Sequence, residues 1–379
     1  MSVDERHSFL NISITPVECS VVCHSSWARD VFEPAIKRLP GGPAAASRVT
    51  ISTDAYLILS VISAGTDAGS RVMELTSPLA MSGVPIFFIT TYYSDFILVP
   101  AKDRQIVVQA LQARGFEFSA EASAFVSPTA MAMSRSRGQS QGSGGGGDSP
   151  TAPSTPPPST VAELQKRTFD LLRRRSVTPY VEPGLSLVQC AGRDQSQFVD
   201  NIGSQSHTHS RRRSNPSNGG GSNGHHNGGH HRGGGGCWLD EVDTKLYTSL
   251  ISTLASQPRF LSVTFAQEDP PSLLLDKALL RTFGDALVGD TDGDLVPVFL
   301  DLADLPLGAT GIVSGVAGRL LDHPDMARAE HPNEDDDADL ALAGELSYLS
   351  TARAGVVILP KEQAVKALEV LRPLLVEEQ

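Results

Sequence analysis

Apolar positions along the chain keep two distinct periods, and the switches between them mark the elements. Residues 10–16 (LNISITP) alternate with period two, as a half-buried strand does. Residues 55–63 (AYLILSVIS) form a nearly continuous apolar run rich in β-formers, which predicts a central strand. Over residues 70–82 the period becomes helical: Val72, Leu75, Leu79 and Ala80 share one face, and Gly83 stands where a helix closes. VPIFFITTYY and DFILVP follow as two strands about a tight turn near Ser94. Residues 102–114 then predict a helix with Ile106, Val107, Ala110 and Leu111 inward.

The C-terminal part repeats this order. Residues 311–321 (GIVSGVAGRLL) read as an amphipathic helix, LSYLST and GVVILP as strands, and residues 362–375 as a helix with Ala364, Val365, Leu368 and Leu371 inward. FFITTYYSDFILVPAKDRQIVVQAL lies over LSYLSTARAGVVILPKEQAVKALEVL with the LVP and ILP tripeptides in register. A duplication is the simplest explanation, and duplicated units pack about a pseudo-twofold axis. Each unit alone has too few strands to cover its sheet. Side-by-side pairing therefore predicts a larger sheet with helices on one side. It also predicts clefts where a helix N-terminus, with its unpaired N–H groups, meets the neighbouring unit; such groups attract a carboxylate.

Composition divides the chain. Residues 127–158 are Ser, Gly, Pro and Thr, and residues 204–236 are Gly, Asn, His, Ser and Arg; neither stretch can offset chain entropy by burial, so both are expected to be disordered. The island between them holds a short helix (VAELQKRTFDLLRRRS) and a strand at residues 185–190. The expected architecture is α+β in two lobes: 1–120, then a mostly disordered linker 121–180, a strand at 181–198 belonging to the C-terminal lobe, a disordered insert 199–236, and the lobe 237–379. The net charge of −12 gives no general attraction to nucleic acid or anionic lipid. No run approaches the about 18 apolar residues of a membrane span, and the acidic start MSVDERHSFL lacks a signal-peptide core, so a cytoplasmic protein is expected. The cysteines Cys19, Cys23, Cys190 and Cys237 are too scattered for a disulfide scaffold; Cys19 and Cys23 read as thiols sharing a strand face more readily than as a metal pair.

Taken together, these stretches resemble tandem ACT domains, the βαββαβ ferredoxin-like regulatory module that often binds amino acids. SPLAMSGVPIFFITTYYSDFILVP, SLLLDKALLRTF, DLPLGATGIVSGVAG and LSTARAGVVILP occur in the order of the CASTOR family of cytosolic arginine sensors, which carry four ACT-like motifs. The resemblance implies a ligand held between the second and fourth motifs. Its matching positions are Val84, Pro85 and Ile86, then Ala309, Thr310, Gly311 and Ile312, then residues 351–355 with Thr351, Ala352 and Gly355. The family's acidic contacts fall here on Ala309 and Gly355, which carry no charge. A buried guanidinium without a counter-ion is costly, so arginine is disfavoured and a smaller, less charged amino acid, or a vestigial pocket, is expected. Gly311 reads equally as a carboxylate-binding helix start or as tight helix–strand packing. Asp95 stands in the second motif where Gly355 stands in the fourth, and reads as a ligand contact at a pseudo-equivalent site or as a turn cap.

Other features carry less. Arg211-Arg212-Arg213-Ser214-Asn215-Pro216 resembles a basophilic-kinase site that, phosphorylated at Ser214, would suit a 14-3-3 protein; Arg173-Arg174-Arg175-Ser176 is a second basic site. The histidines at 207, 209, 225, 226, 230 and 231 show no fixed metal spacing, and the acidic run at 334–339 reads as a solvated loop. Residues 290–294 (DTDGD) resemble a calcium loop but lack its glycine and terminal glutamate, so a turn is expected. No nucleophile elbow, Walker loop, dinucleotide fingerprint or HExxH is present. The expectation is a non-catalytic regulator without a cofactor, sensing an amino acid and acting through a protein partner, by resemblance a GATOR complex of the target-of-rapamycin pathway. The alternatives are a structural interaction protein with a dead pocket, or a separate regulatory subunit of an enzyme such as aspartate kinase.

Overall fold

The computed structural model describes residues 9–40, 48–61, 68–118, 158–193, 244–266, 269–323 and 346–376. Their strands are β1 (Phe9–Ile14), β2 (Cys19–Val22), β3 (Tyr56–Val61), β4 (Phe87–Thr90), β5 (Asp95–Pro100), β6 (Pro179–Tyr180), β7 (Leu187–Gly192), β8 (Leu261–Ala266), β9 (Ser272–Asp276), β10 (Leu287–Gly289), β11 (Leu295–Asp301), β12 (Ser347–Ser350) and β13 (Ala354–Pro360). The longer helices are α1 (Ala68–Met81), α2 (Arg104–Gln112), α3 (Val161–Arg174), α4 (Thr244–Ala255), α5 (Ile312–Leu321) and α6 (Lys361–Leu375). The protein is mixed α+β.

The strands join in the order β2-β1-β8-β9-β7-β11-β13-β12-β4-β5-β3, with β10 on β7 and β6 on β11. Two junctions are narrow. Leu187 of β7 meets Leu295 of β11, and Ile89 of β4 meets Leu349 of β12, each as the one residue pair of its junction. The sheet turns back on itself, because Phe9 of β1 packs on Phe96 of β5 with ring centroids 5.1 Å apart. A layer of Phe9, Ile89, Leu98, Phe260, Leu274 and Phe299 fills the space between the two facing parts. Helices α1, α2, α3, α5 and α6 cover the outer face of one part, and α4 covers that of the other. The expected single helical side is thus corrected: the inner sheet faces cover each other, leaving two outer faces for helices.

The halves of the chain also interleave. β1 pairs with β2 on one side and β8 on the other, and neither β1 nor β2 pairs with β3 to β5, so the strands of residues 1–120 do not form one contiguous unit. Asn11 explains the attachment. Its amide donates to Ser262 Oγ at 3.2 Å and Thr264 Oγ1 at 3.0 Å, and its carbonyl accepts from Ser13 Oγ at 2.8 Å, a buried ladder that only this register satisfies. β7 pairs with β9, β10 and β11, two residues further along than the apolar run suggested.

Helix α3, placed by composition in the linker, belongs to the core. Its start is a capping box: Thr160 Oγ1 accepts from Glu163 N at 3.1 Å, while Glu163 accepts from Ser159 N at 2.8 Å. The Ser159 hydroxyl, which donates to Glu163 at 2.6 Å, then the Ser159 N–H and Arg167, lower the Glu163 carboxyl to about 2. Leu164, Thr168, Phe169 and Leu172 are buried against neighbouring helices. Two inward assignments fail: Val365 is 60% exposed and Ile106 is 44% exposed. The buried stripes are Ala364, Ala367 and Leu371 on α6, and Val107 and Leu111 on α2. Gly83 adopts φ +72 just past α1, and Val84 N donates to Leu79 O at 3.0 Å, closing the helix as its position implied.

Candidate functional site

The duplication is exact in the two hairpins that frame the site. In one, Thr90 pairs with Asp95, and Thr91 Oγ1 accepts from Ser94 N at 3.1 Å. In the other, Ser350 pairs with Gly355, and Thr351 Oγ1 accepts from Ala354 N at 3.0 Å. A threonine with its hydroxyl folded back onto the turn closes each hairpin. The two copies meet at Ile89 and Leu349, and α1 crosses α5 with Ser77 Oγ and Ser314 Oγ 3.0 Å apart.

Beside this seam lies a cleft of about 50 Å³. On a scale where one water needs about 10–15 Å³, it admits roughly four waters, close to the bulk of a small amino acid. Three segments form it. Ile86 and Phe87 come from the first copy. The β11–α5 loop contributes Leu305, Pro306, Leu307, Ala309 and Gly311, and α5 adds Ile312 and Val313. The β12–β13 hairpin contributes Tyr348, Ser350, Thr351, Ala352 and Ala354. Leu302 N donates to Arg353 O at 2.7 Å, so the loop and the hairpin are tied together behind the cleft.

Of the positions read from the sequence, Ile86, Ala309, Gly311, Ile312, Thr351 and Ala352 line this one cleft. Val84 is buried in the core at 1% exposure. Pro85 precedes Ile86 and Thr310 joins Ala309 to Gly311, and neither lines the cleft itself. Gly355 lies behind Tyr348: a β-carbon there would stand 2.7 Å from the Tyr348 hydroxyl. Tyr348 is the residue that sequence reasoning missed. It is fully buried, its hydroxyl has no hydrogen-bond partner, and burial pushes its titration upward. In LSYLST it alternates as a core aromatic does, which hides its polar end.

Gly311 stands at a helix start and is tightly packed. It caps α5 at φ +83, a left-handed conformation that favours glycine, and offers no side chain to the first-turn N–H groups. It is also tightly packed, though against a helix: a β-carbon would stand 2.7 Å from Leu164 Cδ1 and 2.9 Å from Thr168 Oγ1 of α3. No lining residue carries a charge. Asp95 is neither a turn cap nor open to a ligand. It is 4% exposed and accepts from Arg71 Nε at 3.2 Å.

Residues 51–113 match the ACT domain family. The chain contains an ACT domain. The matched span runs from before β3 through β4 and β5 to the end of α2, so the ACT domain supplies Ile86 and Phe87 of the cleft. ACT domains typically bind amino acids. No curated protein matches the chain. Among solved structures, aspartate kinase from Synechocystis aligns over 98% of this chain and 50% of its own, at 11% identity and a TM-score of 0.27. The chain thus spans about half the length of that kinase, and the likeness is too slight to carry any argument.

The remaining motifs place as follows. Asp290 Oδ1 accepts from Asp292 N and Gly293 N, both at 3.0 Å, which makes residues 290–294 a side-chain-closed turn between β10 and β11. Among the described residues no His, Cys, Asp and Glu group is arranged to hold a metal, and no helix is long and apolar enough to cross a membrane. Ser214, the histidine tract, the acidic run and Cys237 lie outside the described residues.

Proposed function

We propose that the protein is a non-catalytic regulator that binds a small, uncharged amino acid in this cleft and passes the signal through protein contacts. One observation carries the reading: Ile86 of one repeat and Gly311 and Thr351 of the other line a single cleft at the N-terminus of a ten-residue helix. An α-carboxylate at the first turn of α5 meets N–H groups that have no partner within the helix. A ligand held there touches both copies, and so favours the arrangement that brings them together. The uncharged lining supports a neutral side chain over arginine.

Resemblance to the CASTOR family supports a cytoplasmic setting and a GATOR complex as partner, with a 14-3-3 protein as a second partner when Ser214 is phosphorylated. The rival reading, an interaction protein with a vestigial pocket, draws on the small size of the cleft. Thermal-shift measurements with each of the common amino acids at millimolar concentration separate them. A shift with one or a few small amino acids supports sensing; no shift with any defeats it. A pull-down with and without the active amino acid then tests the partner.

A further inference from the structure

The two hairpins deliver a polar group to the same place by different routes. In the first copy, Phe88 stands on β4 and Asp95 on β5; in the second, Tyr348 stands on β12 and Gly355 on β13, in the same register. Asp95 projects a carboxylate, and Arg71, near the start of α1, meets it at 3.2 Å. In the second copy the side chain on β13 is gone, and the Tyr348 hydroxyl reaches over Gly355 instead, 2.7 Å from where a β-carbon would be. The first group is satisfied by the chain's own guanidinium. The second is buried without a partner, in a residue that lines the cleft, although buried polar groups are almost always paired.

We propose that Tyr348 is the specificity-determining residue of the cleft, its hydroxyl the second anchor for a small amino acid whose side chain bears a neutral hydrogen-bonding group, as in serine. The inference rests on the reading of the cleft as an amino-acid site and names the class of ligand. A phenol both donates and accepts, so it pairs with a hydroxyl but does not neutralise a cation. The cleft of about 50 Å³ limits the ligand to a short side chain. With the α-carboxylate at the first turn of α5, a side-chain hydroxyl lies within the same small volume as Tyr348. A site built to hydrogen-bond a hydroxyl rejects the analogue lacking it, because its own buried group is then left unpaired.

Calorimetric titration of the full chain with serine, alanine and arginine, in the wild type and in Tyr348→Phe, tests this. The substitution installs the residue that the first copy carries at Phe88, so the fold should hold, and an unchanged melting temperature checks that it does. The wild type should bind serine about tenfold more tightly than alanine, a factor worth about 1.4 kcal/mol, and should not bind arginine. In Tyr348→Phe the serine-to-alanine ratio should fall to near one. Equal binding of serine and alanine by the wild type, a ratio unchanged in Tyr348→Phe, or binding of arginine alone overturns the assignment of Tyr348 while leaving an amino-acid site standing. No binding of serine, alanine or arginine overturns the assignment of Tyr348, and no thermal shift with any common amino acid overturns the amino-acid site as well.

Discussion

Ile89 of β4 and Leu349 of β12 face each other as antiparallel partners, and they hold the same place in the two repeats. A residue can pair with its own repeat-equivalent only where a twofold relation passes between them. The relation continues outward: Tyr348 N donates to Thr90 Oγ1 at 3.0 Å, and Ser77 faces Ser314 where the helices cross. Two pseudo-equivalent positions must therefore flank the seam. One is closed by Arg71 on Asp95, and at the other Tyr348, which lines the cleft, covers Gly355. One position is internally satisfied, and at the other the Tyr348 hydroxyl has no partner.

The Tyr348–Gly355 pair should behave as a coupled unit. Gly355→Ala places a β-carbon 2.7 Å from the hydroxyl, closer than the atoms can stand, so the ring must move. Overpacking of this kind costs about 1–3 kcal/mol. Tyr348→Phe removes the clashing oxygen and should restore most of that loss, so the double variant should be more stable than Gly355→Ala alone. Denaturant melts of the four proteins give the coupling directly, and additive effects would contradict the packing described.

Gly311→Ala should be more damaging. The residue holds φ +83, and its β-carbon would meet Leu164 and Thr168 of α3. Strain and crowding together should cost about 2–3 kcal/mol. Thr168→Ser in the same chain should recover little, because Leu164 Cδ1 still stands 2.7 Å from the new carbon. Chemical denaturation of the single and double variants checks both statements.

Much of the cleft was legible because its framework is local. Period two and period 3.6 mark β4, β5 and α1, and the register of LVP on ILP carries the hairpin of one copy onto the other. Thr351 and Ala352 follow from the family resemblance, not from that register. What was hidden depends on distant contacts. The fold-back that sets Phe9 on Phe96 has no local signature. The docking of α3 on Gly311 and Gly315 needs both partners in hand, since an amphipathic helix does not say what it covers. Asp95 and Arg71 lie on different elements, and a tyrosine in an alternating strand shows its apolar body, not the lack of a partner for its hydroxyl.

At the helix crossing, Ser77 and Ser314 should show the asymmetry of a buried hydrogen bond. Their hydroxyls lie 3.0 Å apart and are shielded from water. Replacing either by Ala leaves the other hydroxyl buried with its partner gone, at a cost of about 1–2 kcal/mol, whereas replacing both removes the unsatisfied group. The double variant should therefore be no less stable than either single one. Equilibrium unfolding of the three variants decides it, and a double variant losing the sum of the two single costs would show that the pair does not interact.

Asp95 should give the protein a stability component that declines toward neutral pH. Burial pushes its carboxyl above the ordinary value of 3.8, while the Arg71 guanidinium and the Thr90 hydroxyl pull less strongly the other way. The folded state then holds this proton more tightly than the unfolded chain does. The associated stability is fully present below the ordinary carboxyl value and is lost as pH rises through the raised one. Asp95→Asn cannot titrate, yet its amide oxygen still accepts from Arg71. Melting temperatures of wild type and Asp95→Asn between about pH 3 and pH 7 should therefore show the wild type losing ground to the variant as pH increases. The opposite slope would mean that Arg71 outweighs burial, and that the pair in the first copy is a net source of stability at neutral pH and not a costly substitute for a ligand.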